Sequence, residues 1–219
     1  MTFSASTTPA QRTKATSGRA SPYEKVREVA LTLFAEKGFQ SVSLRKLAGT
    51  VGVQPGSLYN HIESKNDLLF ELIDEHETDL LDALEIGTPR NSGVQERLFS
   101  YIRAHLDFNT QHQQRFSLTR FEFRNLNAGQ KKTIETLRNN QASILNEIIQ
   151  QGIQKRLFKP IPPGISTAII GAMLSEASNA RHINTGAVPE CTTALLQNMI
   201  ISLLSPATPT TPHISTPPI

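Results

Sequence analysis

The chain has 219 residues, 22 Lys/Arg against 19 Asp/Glu, and one cysteine. That length supports a substantial core and suits either one elongated domain or a small domain joined to a larger one, of which we read the second. The lone Cys191 excludes an intramolecular disulfide and a cysteine-built zinc site. No run approaches the ~20 apolar residues that span a bilayer, and the first thirty lack a signal-peptide stretch, so a soluble cytoplasmic protein without a membrane partner is expected.

Charge is uneven: residues 1–65 hold nine Lys/Arg against four Asp/Glu, the remainder thirteen against fifteen. One end is therefore basic, as expected of an end facing phosphates or of a solvated bundle end. Residues 1–20 are Ser, Thr and Ala with Arg12, Lys14 and Arg19 and no acid, a composition for disorder. Two readings of this stretch are open, a passive tail or a basic arm that touches DNA. A first helix starts at Ser21-Pro22-Tyr23-Glu24, a capping box with proline at the first helical position; it turns Val26, Val29, Ala30, Leu33 and Phe34 inward and closes at Gly38.

Next come two short helices around a tight turn. Ser43 caps the first, whose Leu44, Leu47, Ala48 and Val51 recur at the spacing of one buried face, and Gly52 ends it in the left-handed conformation. Pro55 opens the second, which buries Leu58 and Ile62 and leaves Gly56, Ser57, Tyr59, Asn60 and His61 outside. Short donors and acceptors beside an aromatic hydroxyl suit phosphates and base edges better than bare solvent, where Lys and Glu would be usual.

This unit is a helix-turn-helix, and it resembles the TetR family of bacterial transcriptional repressors. The residues that carry the likeness are Phe34-Ala35-Glu36-Lys37-Gly38-Phe39, Ser43 through Val53, Gly56-Ser57-Leu58-Tyr59-Asn60-His61-Ile62 and Ser64-Lys65-Asn66-Asp67-Leu68-Leu69, within 21–72. The resemblance implies that Ser43, Arg45, Gln54, Gly56, Ser57, Tyr59, Asn60, His61 and Lys65 line a double-stranded DNA operator. Arg45 and Ser57 would lie nearest base edges, with Tyr59, His61 and Lys65 on phosphates; for Lys65 an exposed lysine without a role is the alternative.

Ser64 caps a long helix with Leu68, Leu69, Leu72, Ile73, Leu80, Leu81 and Leu84 on one side, ending near Gly87-Thr88-Pro89. Family likeness makes it the link between a DNA-reading head and a larger body. Beyond it, Val94, Leu98, Tyr101, Ile102, His105, Leu106 and Phe108 form an apolar face. Phe116, Leu118, Phe121 and Phe123 mark a shorter element, and Ile134, Leu137, Ile144, Leu145, Ile148, Ile149 and Ile153 a longer helix from about Gly129, stopped at Lys159-Pro160-Ile161-Pro162-Pro163. A helix rich in small residues follows from Gly164 to about His182, and a final one from Pro189 carries Leu195, Leu196, Met199, Ile200, Leu203 and Leu204. That stripe is more than one helix can bury. The resemblance implies a homodimer through this helix pair, with Gly171, Ser175, Leu196, Met199 and Leu203 in the interface. Residues 205–219 are rich in Pro and Thr, a composition for disorder.

The expected fold is thus all-α with no strand and about nine helices: a basic arm (1–20), a helix-turn-helix domain (21–66), a helical ligand-binding and dimerisation domain (67–204) and a tail (205–219). The body is also similar to members that sense acyl-CoA or fatty-acid-like molecules. This implies a small-molecule effector in an apolar cavity near Phe108, Phe116, Phe121, Ile149 and Met173, with Arg120 or Arg124 at its mouth for an anionic group. Ordinary core is the other reading of these aromatics. An enzyme is not expected: glycine-rich phosphate loops, Gly-x-Ser-x-Gly and His-Glu-x-x-His are absent, and the six histidines lack metal-ligand spacing, so no metal or cofactor is expected. A helical scaffold that binds only protein remains the alternative function.

Overall fold

A computed structural model describes residues 21–59, 62–182 and 189–206, with side chains throughout except at 180–182, 189 and 190. The helices are α1 (Pro22–Lys37), α2 (Leu44–Val51), α3 (Pro55–Leu58), α4 (Lys65–Gly87), α5 (Val94–Gln111), α6 (Gln113–Glu122), α7 (Ala128–Gln154), α8 (Pro163–His182) and α9 (Pro189–Leu204), and no strand occurs among the described residues. Two 3₁₀ turns, Phe39–Ser41 and Phe123–Asn125, follow α1 and α6. None of these helices is long and apolar enough to cross a membrane.

Local chemistry sets most boundaries. Ser21 and Glu24 form the capping box of α1, Ser43 Oγ accepts from Lys46 N–H at 3.2 Å, and Ser64 Oγ accepts from Asp67 N–H at 3.0 Å. Gly52 takes φ 85°, a conformation that a residue with a Cβ resists, and its N–H bonds back to Ala48 to complete the turn between α2 and α3. A second capping box, Asn127 with Gln130, starts α7. Its far end needs a glycine for another reason: a Cβ on Gly152 would lie 2.1 Å from the ring of Phe158.

Two apolar clusters hold the molecule. The first joins α1–α3 to Leu68, Leu69, Leu72 and Ile73 of α4 and also takes in Leu118, Leu126 and Ile134. A second runs from Leu80 and Leu84 through α5, the end of α7, α8 and α9. Burying each such leucine contributes roughly 1.5–3 kcal/mol. The packing therefore divides between Ile73 and Leu80, inside α4, some way beyond residue 66. At that level His76, Glu77, Asn109, Thr119 and Gln141 are buried, forming a polar layer between the clusters.

Candidate nucleic-acid interface and internal cavity

In the head, Leu47, Ala48, Val51, Leu58 and Ile62 point into the first cluster, which forces the remaining residues of α2 and α3 outward. Ser43, Arg45, Gln54, Gly56, Ser57 and Tyr59 are all exposed, Tyr59 at 60%. Arg45, Gln54, Ser57 and Tyr59 make no side-chain hydrogen bond to other described residues, while Ser43 is engaged as the cap of α2. These groups form one face. Asn60 and His61 lie outside the described residues, as do the arm at 1–20 and the tail beyond 206.

Lys65 is placed differently from the phosphate-holding position expected of it. Its Nζ donates to Phe39 O and Val42 O, both at 2.9 Å, and sits 4.0 Å from the centre of the Phe39 ring. Partial burial draws its pKa below lysine's ordinary value, and the nearby Glu122 carboxylate opposes that shift. Its side chain thus clamps the loop between α1 and α2.

The same loop is held from the body. Glu122, at the end of α6, accepts from Phe39 N–H at 3.1 Å and from Asn125 Nδ2 at 2.6 Å, and Gln40 Nε2 donates to Asn125 Oδ1 at 2.7 Å. On the other side, Tyr23 and Arg27, one turn apart on α1, bond Glu71 and Glu75, one turn apart on α4. Tyr23 is pushed up to about 12 by burial and then by Glu71. The head is therefore tied to both α4 and α6.

Between the apolar clusters lies a cavity of about 460 Å³, walled by α4, α5, α6, α7 and α8. Of the residues expected there, Phe116 and Arg120 line it. Phe121 and Arg124 do not, because α6 and the 3₁₀ turn after it point them to solvent. Phe108, Ile149 and Met173 also lie off the cavity: Ile149 is core, and Phe108 and Met173 pack against the second cluster. Instead the wall carries His76, Glu77, His105, Asn109, Thr119, Arg138, Gln141 and Thr167, with Leu80, Tyr101, Phe123 and Leu145 as apolar panels. The apolar cavity expected from the aromatics is thus a mixed one with many polar groups. The signal for it was polar residues at core positions of otherwise apolar stripes: His76 and Glu77 between Ile73 and Leu80, and Gln141 between Leu137 and Leu145.

The charged groups of this wall are already paired. Glu77 accepts from Arg138 Nε at 2.7 Å and from Gln141 Nε2 at 2.9 Å, and Arg138 stacks over Phe123 with 4.4 Å to the ring centre. Arg120 joins α6 to α8 by donating to Ser175 Oγ at 2.8 Å and to Glu176. Burial drives His76 down to about 3, helped by the Arg115 cation, and His105 down to about 4, so both imidazoles are neutral at pH 7.

The residues expected at a dimer interface divide. Gly171 and Ser175 line the cavity, and Leu196 is buried in its own subunit because its turn of α9 faces the second cluster. Met199 and Leu203 are exposed, together with Leu195 on α9 and Ile165 and Ile169 on α8. These spacings of four make one apolar stripe per helix.

Comparison with known proteins gives two family matches in chain order: bacterial regulatory proteins of the tetR family over residues 26–72, and a tetracyclin repressor-like C-terminal domain over residues 91–179. The fatty acid metabolism regulator protein of Bacillus subtilis is 24% identical over 137 residues, 63% of this chain and 71% of that protein. A bacterial regulatory protein of the tetR family from Rhodococcus RHA1 superposes with a TM-score of 0.80 at 20% identity, over 87% of this chain and all of that one. AibR, solved in complex with isovaleryl coenzyme A and operator DNA, superposes with a TM-score of 0.70 at 18% identity, over 85% of this chain and 99% of that one. With its head and its body each matched, the chain belongs to the TetR family of DNA-binding transcriptional regulators.

Proposed function

We propose that this protein is a cytoplasmic repressor, not an enzyme, that binds a palindromic double-stranded DNA operator as a homodimer and leaves it when a small molecule occupies the body. The observation that carries the reading is the exposed polar face of α2 and α3, where Arg45, Gln54, Ser57 and Tyr59 make no side-chain hydrogen bond to other described residues while Leu47, Ala48, Val51 and Leu58 point the other way. Arg45 and Ser57 read base edges, Tyr59 and His61 hold phosphates, and Lys65 sets the loop behind them. Residues 21–66 do the reading and 67–204 the sensing and pairing.

Dimerisation uses the stripe of Ile165, Ile169, Leu195, Met199 and Leu203, which a second copy would cover. Two such heads present their α3 helices about 34–36 Å apart, one turn of duplex. The effector enters the cavity in the polar layer. Thr119 and Arg120 line it from α6, whose last residue Glu122 holds the head at Phe39, and His76 lines it from α4, which carries Glu71 and Glu75. A ligand that prefers one position of α6 and α4 therefore shifts the heads between groove-matched and unmatched spacings; one that binds both equally shifts nothing. A relative named for fatty acid metabolism and a neighbour solved with a small-molecule thioester and operator DNA support a small-molecule effector in the body, without fixing its class.

The test is selection of duplexes from a random pool by the full chain, followed by affinity over a salt series. A palindromic site whose log affinity falls steeply with log salt is expected, since only phosphate contacts release counterions. Leu195→Glu with Met199→Glu should give monomers that no longer bind it. Failure to enrich any duplex would contradict the reading and favour a protein-binding scaffold.

A further inference from the structure

The charges of the cavity wall are paired, Glu77 with Arg138 inside it and Arg120 with Glu176 outside it, and the groups left over are neutral. Four polar atoms of the wall have no hydrogen-bond partner: His76 Nδ1, Asn109 Oδ1, Thr119 Oγ1 and Thr167 Oγ1. Their residues are 1%, 2%, 4% and 8% exposed. A buried polar group without a partner inside the protein favours a hydrogen-bonding neighbour, so four such residues lining one cavity point to a ligand with hydrogen-bonding groups.

The volume of about 460 Å³ lies in the range of small-molecule sites and cannot also enclose a coenzyme A moiety. Such a moiety would have to lie outside. The groove that shares Ala142, Thr167 and Gly171 with the cavity is the adjoining place for it, between α7 and α8. Its remaining described lining is Asn139, Ser143, Asn146, Glu147, Gln150, Gly164 and Ala168, with one carboxylate and no Lys or Arg. Phosphates find no counter-charge in that lining. A carboxylate inside the cavity would meet Glu77, already paired with Arg138, and would compete with Ser175 and the exposed Glu176 for Arg120.

Resting on the effector reading above, we infer that the cavity takes a compact uncharged molecule with an apolar body and hydroxyl or carbonyl groups, in preference to a carboxylate or a coenzyme A thioester. Leu80, Phe116, Phe123 and Leu145 supply the apolar panels. Asn109 Oδ1 accepts from a hydroxyl, and Thr119 and Thr167 donate to or accept from the polar groups. Because His76 is held neutral by burial, it adds a neutral donor or acceptor and no cation.

The test uses three probes on one decalin skeleton: a hydroxyketone, the matching carboxylic acid and the coenzyme A thioester of that acid. Each is titrated calorimetrically into the full chain without DNA, so a failure of the operator reading leaves the result unaffected. The hydroxyketone should bind at least tenfold more tightly than either other probe. Thr119→Val and Thr167→Val should each weaken it by roughly tenfold, the worth of one hydrogen bond, while the melting temperature stays level or rises because an unpartnered hydroxyl has gone. A purely structural threonine would lower it. Tighter binding of the acid or thioester, unchanged hydroxyketone affinity in both variants, or no hydroxyketone binding at millimolar concentration would each overturn the inference.

Discussion

The outer face of α2 and α3 and the wall of the cavity both hold polar groups without partners in the chain, but the first are bathed in solvent and the second are buried. Exposed groups cost nothing in the free protein because water satisfies them, so Arg45 and Tyr59 are held ready without loss of stability. The buried groups find no partner within the protein and depend on what lies in the cavity. The head is thus a surface whose loss changes binding alone, whereas each change in the wall moves binding and stability together.

The largest effect should come at the joint between the two regions. Glu122→Ala leaves Phe39 N–H and the Lys65 ammonium without their carboxylate, at a cost of roughly 1–3 kcal/mol. Chemical denaturation should show that loss, and hydrogen exchange should show faster exchange at the Phe39 amide than in the rest of α1. Equal protection in variant and wild type would mean that head and cavity are not joined there.

Acid should reach the cavity and spare the head. His76 has its folded pKa lowered from 6.5 to about 3, so below pH 6.5 the unfolded chain binds the proton that the folded chain refuses. Stability is complete above 6.5 and falls as pH drops toward 3, by roughly 1.5 kcal/mol between 6.5 and 5 from this residue. His105 acts in the same direction, toward about 4. His76→Gln should flatten that pH dependence in denaturant titrations; an unchanged slope would assign it to other groups.

The smallest effect on binding should be at Gly152, where Ala brings a Cβ against Phe158 in the second cluster, outside both regions. A loss of roughly 1–3 kcal/mol from overpacking is expected if the ring cannot shift, less if it can, with no change in operator affinity.

Much of this was legible in the chain itself. Caps and periodicity placed α1, α2, α4 and α5, since Ser21, Ser43 and Ser64 each sit before an apolar stripe and Gly52 allows only one turn. The outward residues of α3 followed from burying Leu58 and Ile62. The cavity was not legible from its aromatics, because side chains such as Phe108 and Phe121 look alike in sequence whether they line a pocket, pack a core or face water; the helix phase of α6, which turns Phe116 and Arg120 inward and Phe121 outward, is set by tertiary packing. Lys65 was misplaced for a related reason. A lysine in the first turn of a helix looks free until the loop carbonyls of Phe39 and Val42 are brought to it. Leu196 and Leu195 differ by one position, and only the docking of α9 decides which is buried.

The central claim is that the α2–α3 face binds DNA and reads its sequence. The measurement that tests it most directly is the affinity of wild type, Arg45→Ala and Arg90→Ala for the selected palindrome and for random duplex at one salt concentration. Arg90 is an exposed cation beyond the far end of α4 and serves as the control for charge alone. The account predicts that Arg45→Ala loses roughly 1–3 kcal/mol of discrimination between palindrome and random duplex, with an unchanged melting temperature, while Arg90→Ala stays within about twofold of wild type on both. Arg45→Ala binding the palindrome as tightly and as selectively as wild type would contradict it.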